Sequence, residues 1–422
     1  MKQLRNLILI LIIIALSFGT GYRAGAKQGV SSNIAASQEI SGKNPTKITT
    51  QKLDFSLFWD VWDRIAKGFI NKKNIDSQKM IYGAISGMVA SLGDPYTVFL
   101  PPDQNKEAKD DLGGHFEGIG AQLGVKDKRI VVIAPLKDSP ADKSGLKPGD
   151  WIVKVDGQET IDWSLPQAVN KIRGAKGSDV LLSVLHKDAS KTADIKVTRD
   201  TIKVLSVEFN IKPDECGNED NPPKCKSVAY LRLSQFGDKT ADEWIKAVDE
   251  ITQKLEGDKN HEIKGLVLDL RNNPGGYLTG AVFIASEFLK DGTVFIQEFS
   301  DGRQQSFSVN RQGRLLDIPM VVLINKGSAS ASEIVAGALQ DRLRAKLIGE
   351  TSFGKGSIQE AQDLSGGAGV HITVAKWLVP SGKWINGEGI TPDVKIENDD
   401  AKPDVDLQLQ KAKLNTTLQK KH

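Results

Sequence analysis

Residues 321–339 read VVLINKGSASASEIVAGAL and join a short apolar run to a helical pattern across Gly327. Two further apolar runs of similar length are KGLVLDL (residues 264–270) and AKLIGE (residues 345–350). Short apolar runs of this kind are typical of strands that are buried on both faces, and helical patterns lie between them. The sequence therefore predicts an α/β core, with its functional site at the carboxyl ends of the strands.

Three serines, Ser328, Ser330 and Ser332, lie at the turn between this strand and the following helix. A hydroxyl at a helix N-terminus is close to free N–H groups that stabilise an anion, which is what a serine nucleophile requires. Ser330 and Glu333 also form the pattern of a capping box, which needs no catalysis. The residues of this segment alone leave both interpretations open.

A serine nucleophile needs a base, and no histidine lies in a recognisable catalytic pattern. The G-x-S-x-G elbow of the α/β-hydrolases is also absent around these serines. Lysine is the other known base for serine, and Lys355 lies between two glycines in GETSFGKGSIQEAQ (residues 349–362). Burial would lower its pKa from a reference value near ~10.4, and Gln359 is placed either to donate to the amine or to accept from it. The alternative is a surface lysine in a glycine turn.

The whole chain has 422 residues, an ordinary globular composition and a net charge of +3. Its length predicts two or three domains. The small net charge argues against a nucleic-acid-binding protein, because such proteins carry a basic footprint.

The N-terminus carries Lys2 and Arg5 ahead of the apolar run LILILIIIALSF (residues 7–18). A basic head before an apolar run is typical of an export signal. Residues 1–26 are interpreted as an uncleaved membrane anchor or, alternatively, as a cleaved signal peptide, and residues 27–50 as a polar linker. Both interpretations place the rest of the chain outside the cytoplasm, because the positive flank stays inside.

Apolar side chains from Phe55 to about Ala90 are spaced about three and four apart, which predicts a helical segment within residues 51–112. Residues 113–200 instead contain short alternating strands, glycine turns and an amphipathic helix. The change in pattern predicts a domain boundary near residue 113.

The second of these regions resembles a PDZ domain, since a glycine loop (GGHFEGIGAQLGV, residues 113–125), a helix and a strand follow in the order of that family. The resemblance implies that backbone N–H groups of the loop bind the terminal carboxylate of a peptide. The matching positions are Phe116, Gly118, Ile119 and Gly120. The alternative is a β-rich module whose glycines serve only turns. Arg173 is expected to be solvated, although the family resemblance suggests that it couples the PDZ domain to the active site.

Cys216 and Cys225 lie in the polar loop DECGNEDNPPKCKS (residues 214–227). In an oxidising compartment these two cysteines are expected to form a local disulfide. A metal site is not expected there, because no other soft ligand is near. Residues 399–422 form a polar, Lys-rich tail with some helical potential.

The chain resembles the carboxyl-terminal processing peptidases, which are the tail-specific serine proteases, in the segments DLRNNPGGYL (residues 269–278), NKGSASASEI (residues 325–334) and TSFGKGSIQ (residues 351–359). The order of helical segment, PDZ domain and protease core also matches that family. The resemblance implies a crotonase/ClpP-like α/β protease core over residues 201–398. It further implies that Ser330 is the nucleophile, that Lys355, 25 residues later, is the base, and that Gln359 holds the lysine.

The same resemblance assigns the groups that stabilise the oxyanion. The N–H of Ala331 is expected to be one donor, and the N–H of Gly275 or Gly276 the other. Asn272 and Asn273 are expected to cap the end of the preceding strand.

We therefore expect an exported, membrane-tethered serine endopeptidase that binds the C-terminal tails of extracytoplasmic proteins and requires no metal or cofactor. The sequence does not determine the oligomeric state, and a homo-oligomer is one of the alternatives. The rival interpretations are a non-catalytic PDZ scaffold and, less in keeping with a PDZ domain and an export signal, a crotonase-type acyl transferase.

Overall fold

The computed structural model describes residues 54–126, 128–136, 138–186, 189–213, 227–257, 263–398 and 405–418. The predicted anchor or signal peptide, the linker and the Cys216–Cys225 disulfide lie outside these ranges. Within them, none of the helices has the length and apolar character needed to cross a bilayer.

The helices are α1 (Ser56–Gly68), α2 (Ser77–Ala90), α3 (Pro102–Leu112), α4 (Pro140–Lys143), α5 (Leu165–Ile172), α6 (Thr240–Gly257), α7 (Leu278–Ala285), α8 (Ala331–Asp341) and α9 (Leu407–Leu418). Short 3₁₀ turns lie at Lys72–Asn74 and Ser365–Gly367.

The strands are β1 (Val98–Leu100), β2 (His115–Gly118), β3 (Ala121–Lys126), β4 (Arg129–Pro135), β5 (Trp151–Val155), β6 (Gln158–Glu159), β7 (Asp179–Leu185), β8 (Ala193–Thr198), β9 (Asp200–Lys203), β10 (Val207–Pro213), β11 (Ser227–Leu233), β12 (Ile263–Asp269), β13 (Thr293–Phe299), β14 (Gln304–Ser308), β15 (Met320–Ile324), β16 (Lys346–Gly349), β17 (Ser357–Asp363), β18 (Gly369–Leu378) and β19 (Val394–Lys395).

The chain divides into two compact units, of which the first ends at Ile75. Helix α1 belongs to this unit and carries an aromatic cluster in which the rings of Phe58 and Trp59 meet edge to face, 4.9 Å between their centroids. The second unit begins at Asp76, whose side chain caps α2 by accepting from the N–H groups of the first turn.

The PDZ-like region is a small β-structure within the second unit. Strands β3, β4, β5, β7 and β8 form one sheet in that order, with β6 paired to β5, and β2 and β9 form a separate ribbon. Side chains from β4, β5, β7 and α5, such as Ile130, Ile152, Leu182 and Ile172, form one continuous apolar core.

A six-stranded sheet in the order β10-β11-β12-β15-β16-β19 forms the centre of the second unit. Its strands are parallel except for β10. Helices α6, α7 and α8 bury one face, where Trp244 is fully enclosed, and α9 packs on the other face through Ala412. Strands buried on both faces explain the short apolar runs of the sequence, and the predicted mixed α/β fold is confirmed.

A second sheet, β1-β18-β13-β14 with β17 paired to β18, lies beside this centre. Strand β1 comes from the segment that follows α2, and it pairs antiparallel with β18. The N-terminal part of the second unit is therefore tied directly to the strands that follow Lys355. The predicted domain boundaries remain predictions.

Candidate active site

Ser330 occupies a sharp turn between strand β15 and helix α8. Its backbone has φ 55° and ψ −118°, a conformation that side-chain-bearing residues rarely adopt. Holding such a conformation costs on the order of 1–3 kcal/mol, and this kind of strain concentrates at functional sites. The same strained strand-to-helix turn presents the serine of an α/β-hydrolase elbow, although the G-x-S-x-G sequence is absent here.

The other two serines of the segment have structural partners. Ser328 donates its hydroxyl to the carbonyl of Leu270 at 2.8 Å, and Ser332 donates to the carbonyl of Asn273 at 2.8 Å. Both side chains are fully buried. The hydroxyl of Ser330 donates to no protein group in the part of the chain that the structure describes, so its proton is the one available for chemistry.

Glu333 connects the serine turn to the lysine loop. Its buried carboxylate accepts from the backbone N–H of Ser330 at 2.8 Å and of Lys355 at 2.9 Å, both on the same oxygen. The other oxygen accepts from the Ser352 hydroxyl and the Gly354 N–H, each at 2.6 Å. Since one oxygen binds both backbones, Ser330 and Lys355 are neighbours.

The sequence does not indicate this role. Its pattern predicts Glu333 only as half of a capping box, and the bond to the Ser330 N–H shows that this half is present. The contacts to Ser352 and Gly354 come from a loop that follows a different strand. A glutamate at the cap position indicates the contact with the Ser330 N–H. No local sequence pattern indicates the contacts with Ser352 and Gly354.

Lys355 is a partly buried amine on a loop between two glycines. Burial lowers the pKa of its ammonium group, and the charges of Glu333 and Asp94 offset part of that effect. Its Nζ lies 5.0 Å from the centre of the Tyr96 ring. Among the described residues it forms no ion pair, and no hydrogen bond joins it to the Ser330 hydroxyl. Burial without an ion-pair partner favours the neutral form of this amine.

Gln359 lies on β17 and does not hydrogen-bond to Lys355. Its amide nitrogen donates to the hydroxyls of Ser357 at 2.9 Å and Thr373 at 3.0 Å. Because both amide hydrogens are used, only the carbonyl oxygen of Gln359 is free to interact with the lysine. The sequence left both directions open.

The predicted oxyanion residues surround the serine turn. A Cβ added to Gly275 would lie 2.8 Å from the Cβ of Ser330, so the two backbones are in direct contact. The N–H of Gly275 donates to the Asn273 side chain at 2.9 Å. The N–H groups of Gly276 and Ala331 have no protein partner among the described residues. Of the two candidate glycines, Gly276 therefore has the free donor.

The strand-end asparagines hold this turn in place. Asn273 is fully buried, and its side chain donates to the carbonyl of Leu233 at 2.8 Å. Asn272 and Asn325 exchange hydrogen bonds, at 2.8 Å from the Asn272 N–H and 2.9 Å from the Asn325 side chain. These bonds connect the ends of β11, β12 and β15 around the site.

The predicted peptide-binding positions lie together at the start of the PDZ-like region. Gly118 ends β2, and the left-handed Gly120 (φ 74°) follows the buried side chain of Ile119. Phe116 lies on β2 with the Arg173 guanidinium 4.8 Å from its ring centre.

Arg173, which is expected to be solvated, is partly exposed but also has partners within the protein. Besides its contact with Phe116, it forms an ion pair with Asp111 of α3 at 3.4 Å. A cavity of about 390 Å³ is lined by these three residues and by Lys106 and Glu117.

A second groove of about 400 Å³ lies along Ser357, Thr373 and Trp384, beside the hydroxyls that hold Gln359. No group of His, Cys, Asp or Glu in the described ranges could hold a metal ion.

Comparison with known proteins places these features in one family. Family models match residues 227–396 (Peptidase family S41), residues 131–185 (PDZ domain) and residues 14–104 (Activating protease CtpB N-terminal domain). The carboxy-terminal-processing protease of Bartonella bacilliformis is 37% identical over 368 residues, which cover 86% of this chain and 79% of that protein. The carboxy-terminal processing protease CtpB of Bacillus subtilis is 37% identical over 341 residues, which cover 80% of this chain and 67% of that protein.

Solved structures give the same result for the fold. A photosystem II D1 C-terminal processing protease aligns with a TM-score of 0.51 and 31% identity, over 81% of this chain and 92% of that one. A putative S41 protease from Bacteroides fragilis aligns with a TM-score of 0.52 at 17% identity, over 81% of this chain and 90% of that one.

Proposed function

The chain belongs to the carboxy-terminal processing proteases of peptidase family S41 and carries a PDZ domain, and from this premise we propose that it cleaves extracytoplasmic proteins with a Ser330–Lys355 dyad. The observation that carries the proposal is the Glu333 carboxylate, because one of its oxygens binds the backbones of both dyad residues. It keeps the turn of Ser330, whose hydroxyl donates to no group in the described part of the chain, next to the loop that carries the partly buried amine of Lys355.

The geometry supports a mechanism through an acyl-enzyme. The neutral Lys355 amine takes the proton of Ser330, whose oxygen attacks the carbonyl carbon of the scissile peptide bond. The negative charge on the carbonyl oxygen is stabilised by the N–H groups of Ala331 and Gly276. The lysine then gives its proton to the leaving amine, and water activated by the same lysine hydrolyses the ester.

The PDZ domain is assigned the capture of substrate. Its glycine loop, from Gly118 to Gly120, would bind the terminal carboxylate of a C-terminal tail, which adds as a strand. The basic head and apolar run of residues 1–26 support export and tethering to the membrane. The mechanism uses neither a metal nor a cofactor.

The two rival interpretations are less well supported. A non-catalytic scaffold would not need a strained serine on a turn that is tied to the loop of a partly buried lysine. A crotonase-type acyl transferase does not agree with membership of a peptidase family.

The test compares cleavage and binding by the full-length protein. An unfolded model protein with a free C-terminal tail is incubated with wild type, Ser330→Ala and Lys355→Ala, and fragments are quantified by mass spectrometry. Both variants are expected to bind the tail as wild type does but to cleave it at least about 100-fold more slowly, as expected for loss of a nucleophile or a base.

A matched control is Lys383→Ala, which removes an exposed lysine that forms an ion pair with Glu388. This variant is expected to cleave at the wild-type rate. Binding without cleavage by the wild type would favour the scaffold, and full activity of Lys355→Ala would contradict the dyad.

A further inference from the structure

Residues 94–97 (DPYT) form a hydrogen-bonded turn between α2 and β1. Asp94 accepts from the Tyr96 N–H at 3.2 Å and from the Thr97 hydroxyl at 2.6 Å. The buried Thr97 oxygen in turn accepts from the N–H of Thr373 on β18 at 3.0 Å. The backbone of Tyr96 is therefore held against β18, which pairs with the strand that follows the lysine loop.

The backbone of Lys355 is also fixed by hydrogen bonds. Its N–H donates to the buried Glu333 carboxylate at 2.9 Å, and its carbonyl accepts from the indole N–H of the fully buried Trp377 at 2.8 Å. Because both main-chain groups of Lys355 have buried partners, the remaining freedom of this residue lies in its long side chain.

The face of the Tyr96 ring contacts the lysine amine. The Nζ atom lies over the ring, 5.0 Å from its centre, and a cation is attracted to an aromatic face within about 6 Å. Gln359 donates to Ser357 and Thr373 instead of to the lysine. Since the amine forms neither an ion pair nor a hydrogen bond with any described residue, its direct electrostatic contact within those ranges is with this ring.

An aromatic face distinguishes the two protonation states of an amine. The quadrupole of the ring attracts an ammonium group and has little attraction for a neutral amine. In the proposed mechanism Lys355 is neutral at first and becomes an ammonium as it takes the Ser330 proton. The contact with the ring therefore strengthens along the reaction, and only interactions that strengthen toward the transition state accelerate the chemical step.

We propose that the Tyr96 ring stabilises the Lys355 ammonium that forms as this amine takes the proton of Ser330. The inference rests on the proposed dyad, and Tyr96 is a positioning residue because it acts through Lys355. The proton moves from the Ser330 oxygen to the Lys355 nitrogen while that oxygen bonds to the carbonyl carbon of the substrate. The ring itself is chemically unchanged.

The alternative is that the ring only covers the lysine and excludes water. The two roles predict opposite changes in the pKa of Lys355 when the ring is removed. Loss of the attraction for the ammonium lowers this pKa, whereas entry of water raises it, because hydration favours the charged form. The other charged or titratable groups near the amine are Glu333 on α8, Asp94 on the same turn and His371 on β18, and they are the same in every variant.

The experiment measures kcat/KM for tail cleavage by full-length wild type and Tyr96→Leu from pH 6 to pH 10. On the alkaline plateau we expect kcat/KM of Tyr96→Leu to be about 3- to 30-fold lower, the range for loss of a partly desolvated cation–π contact. Below the midpoint of the profile the lysine is an ammonium in the resting enzyme too, so the two proteins should converge there. The midpoint itself should move to lower pH.

Tyr96→Phe keeps the ring and should stay within about threefold of wild type at every pH. The Tyr96 hydroxyl bonds to no protein group in the described part of the chain, so this change removes no hydrogen bond seen there. The matched control is Tyr82→Leu, which removes another partly buried tyrosine whose ring packs on Phe99, 5.7 Å between the centroids. This control should leave the midpoint of the profile in place.

Three results would overturn the inference. The first is a wild-type plateau for Tyr96→Leu, and the second is an equal loss at every pH with a midpoint that is unmoved or raised. The third is a loss for Tyr96→Phe as large as that for Tyr96→Leu, which would assign the effect to the hydroxyl.

Two further measurements separate the possible failures. Thermal unfolding shows whether each variant folds, and Tyr96→Met, whose flexible side chain fills irregular space, takes the place of Tyr96→Leu if that variant is unstable. Lys355→Ala is measured in parallel: its full activity would contradict the dyad itself. Inactive Lys355→Ala together with a wild-type profile for Tyr96→Leu would overturn only the role of the ring.

Discussion

At the residue scale, one buried carboxylate determines the geometry of the candidate site. Glu333 accepts four hydrogen bonds, from Ser330, Ser352, Gly354 and Lys355, and is fully buried. Bonds to a charged acceptor are stronger than neutral ones. The carboxylate therefore fixes the relative positions of two loops that are separate in sequence.

We predict that Glu333→Gln is destabilised and slow. The amide that replaces one oxygen points hydrogens at N–H or O–H donors, and unsatisfied buried donors cost about 1–3 kcal/mol. Thermal unfolding should show the loss of stability, and tail cleavage should show a lower kcat. Glu360→Gln, an exposed glutamate on β17, is the control. A Glu333→Gln enzyme with wild-type stability and rate would rule out the bridging role.

Gly275 is required at its position because the turn touches the nucleophile. Its φ is 100°, and an added Cβ would lie 2.8 Å from both Ala329 O and Ser330 Cβ. Gly275→Ala is predicted to lower kcat at least about 10-fold, since small displacements of reacting groups have effects of this size or larger. Gly302→Ala has a similar left-handed backbone (φ 81°) with open space around it, so it tests the backbone strain alone. Equal kcat values for the two variants would contradict the prediction.

At the element scale, helix α9 closes the sheet on the face opposite α8. Just before it, Asp406 accepts two hydrogen bonds from Arg271, at 2.8 and 2.9 Å, and Arg271 also binds Asp269 at 2.6 Å. Arg271 directly precedes the Asn272–Gly276 turn of the active site. The C-terminal helix is thus connected to the proposed oxyanion donors through a single arginine.

We predict that Asp406→Ala lowers the free energy of unfolding by about 1 kcal/mol, a value kept small because the carboxylate is more than one-third exposed. Burial opposes the charged form of Asp406, but hydrogen bonds from Arg271 and Leu409 outweigh it and lower its pKa. Its contribution is therefore present above the unfolded-state pKa of about 3.9 and is lost as pH falls through the folded-state pKa.

Denaturant unfolding of both proteins at pH 7 and pH 2 measures this difference. The control is Asp301→Ala, which removes an exposed pair with Arg303 and should have little effect. A difference that is as large at pH 2 as at pH 7 would contradict the role of the charge.

Local patterns were sufficient for the elements and insufficient for their long-range contacts. The run VVLINKGSASASEIVAGAL predicts a strand, a turn and a helix, and the structure has β15 and α8 there, because local periodicity determines both. The contact of Asp406 with Arg271 spans 135 residues, and that of Thr373 with Thr97 spans 276. Pairings over such distances leave no local signal, so these two contacts could not be predicted.

At the scale of the whole molecule, substrate capture and cleavage are assigned to different domains. Family membership and the PDZ match support a division in which one domain binds a tail and the other cuts the chain. The ion pair between Arg173 and Asp111 of α3 shows that the PDZ-like region and the segment before it are in contact.

This division predicts that the substrate's terminal carboxylate matters even when the cleaved bond is elsewhere. A peptide with a free C-terminus should have a KM at least about 10-fold lower than its C-terminal amide, because hydrogen bonds to a charged group contribute about 1.5–3 kcal/mol. The kcat values should be similar, since the amide removes binding and not chemistry. Equal KM values for the two peptides would contradict capture through the terminal carboxylate.

The central claim is that the neutral Lys355 amine removes the Ser330 proton, and Lys355→Arg tests it most directly. Arginine has a side chain of similar length, but it is permanently charged and cannot be deprotonated in a protein. We measure kcat/KM for tail cleavage from pH 6 to pH 10 with full-length protein. The kcat/KM of the wild type should rise with pH and level off below the ordinary lysine pKa of 10.5, because burial lowers the pKa of Lys355. Lys355→Arg should be inactive at every pH. A Lys355→Arg enzyme that cleaves tails at a rate near that of wild type would contradict the account.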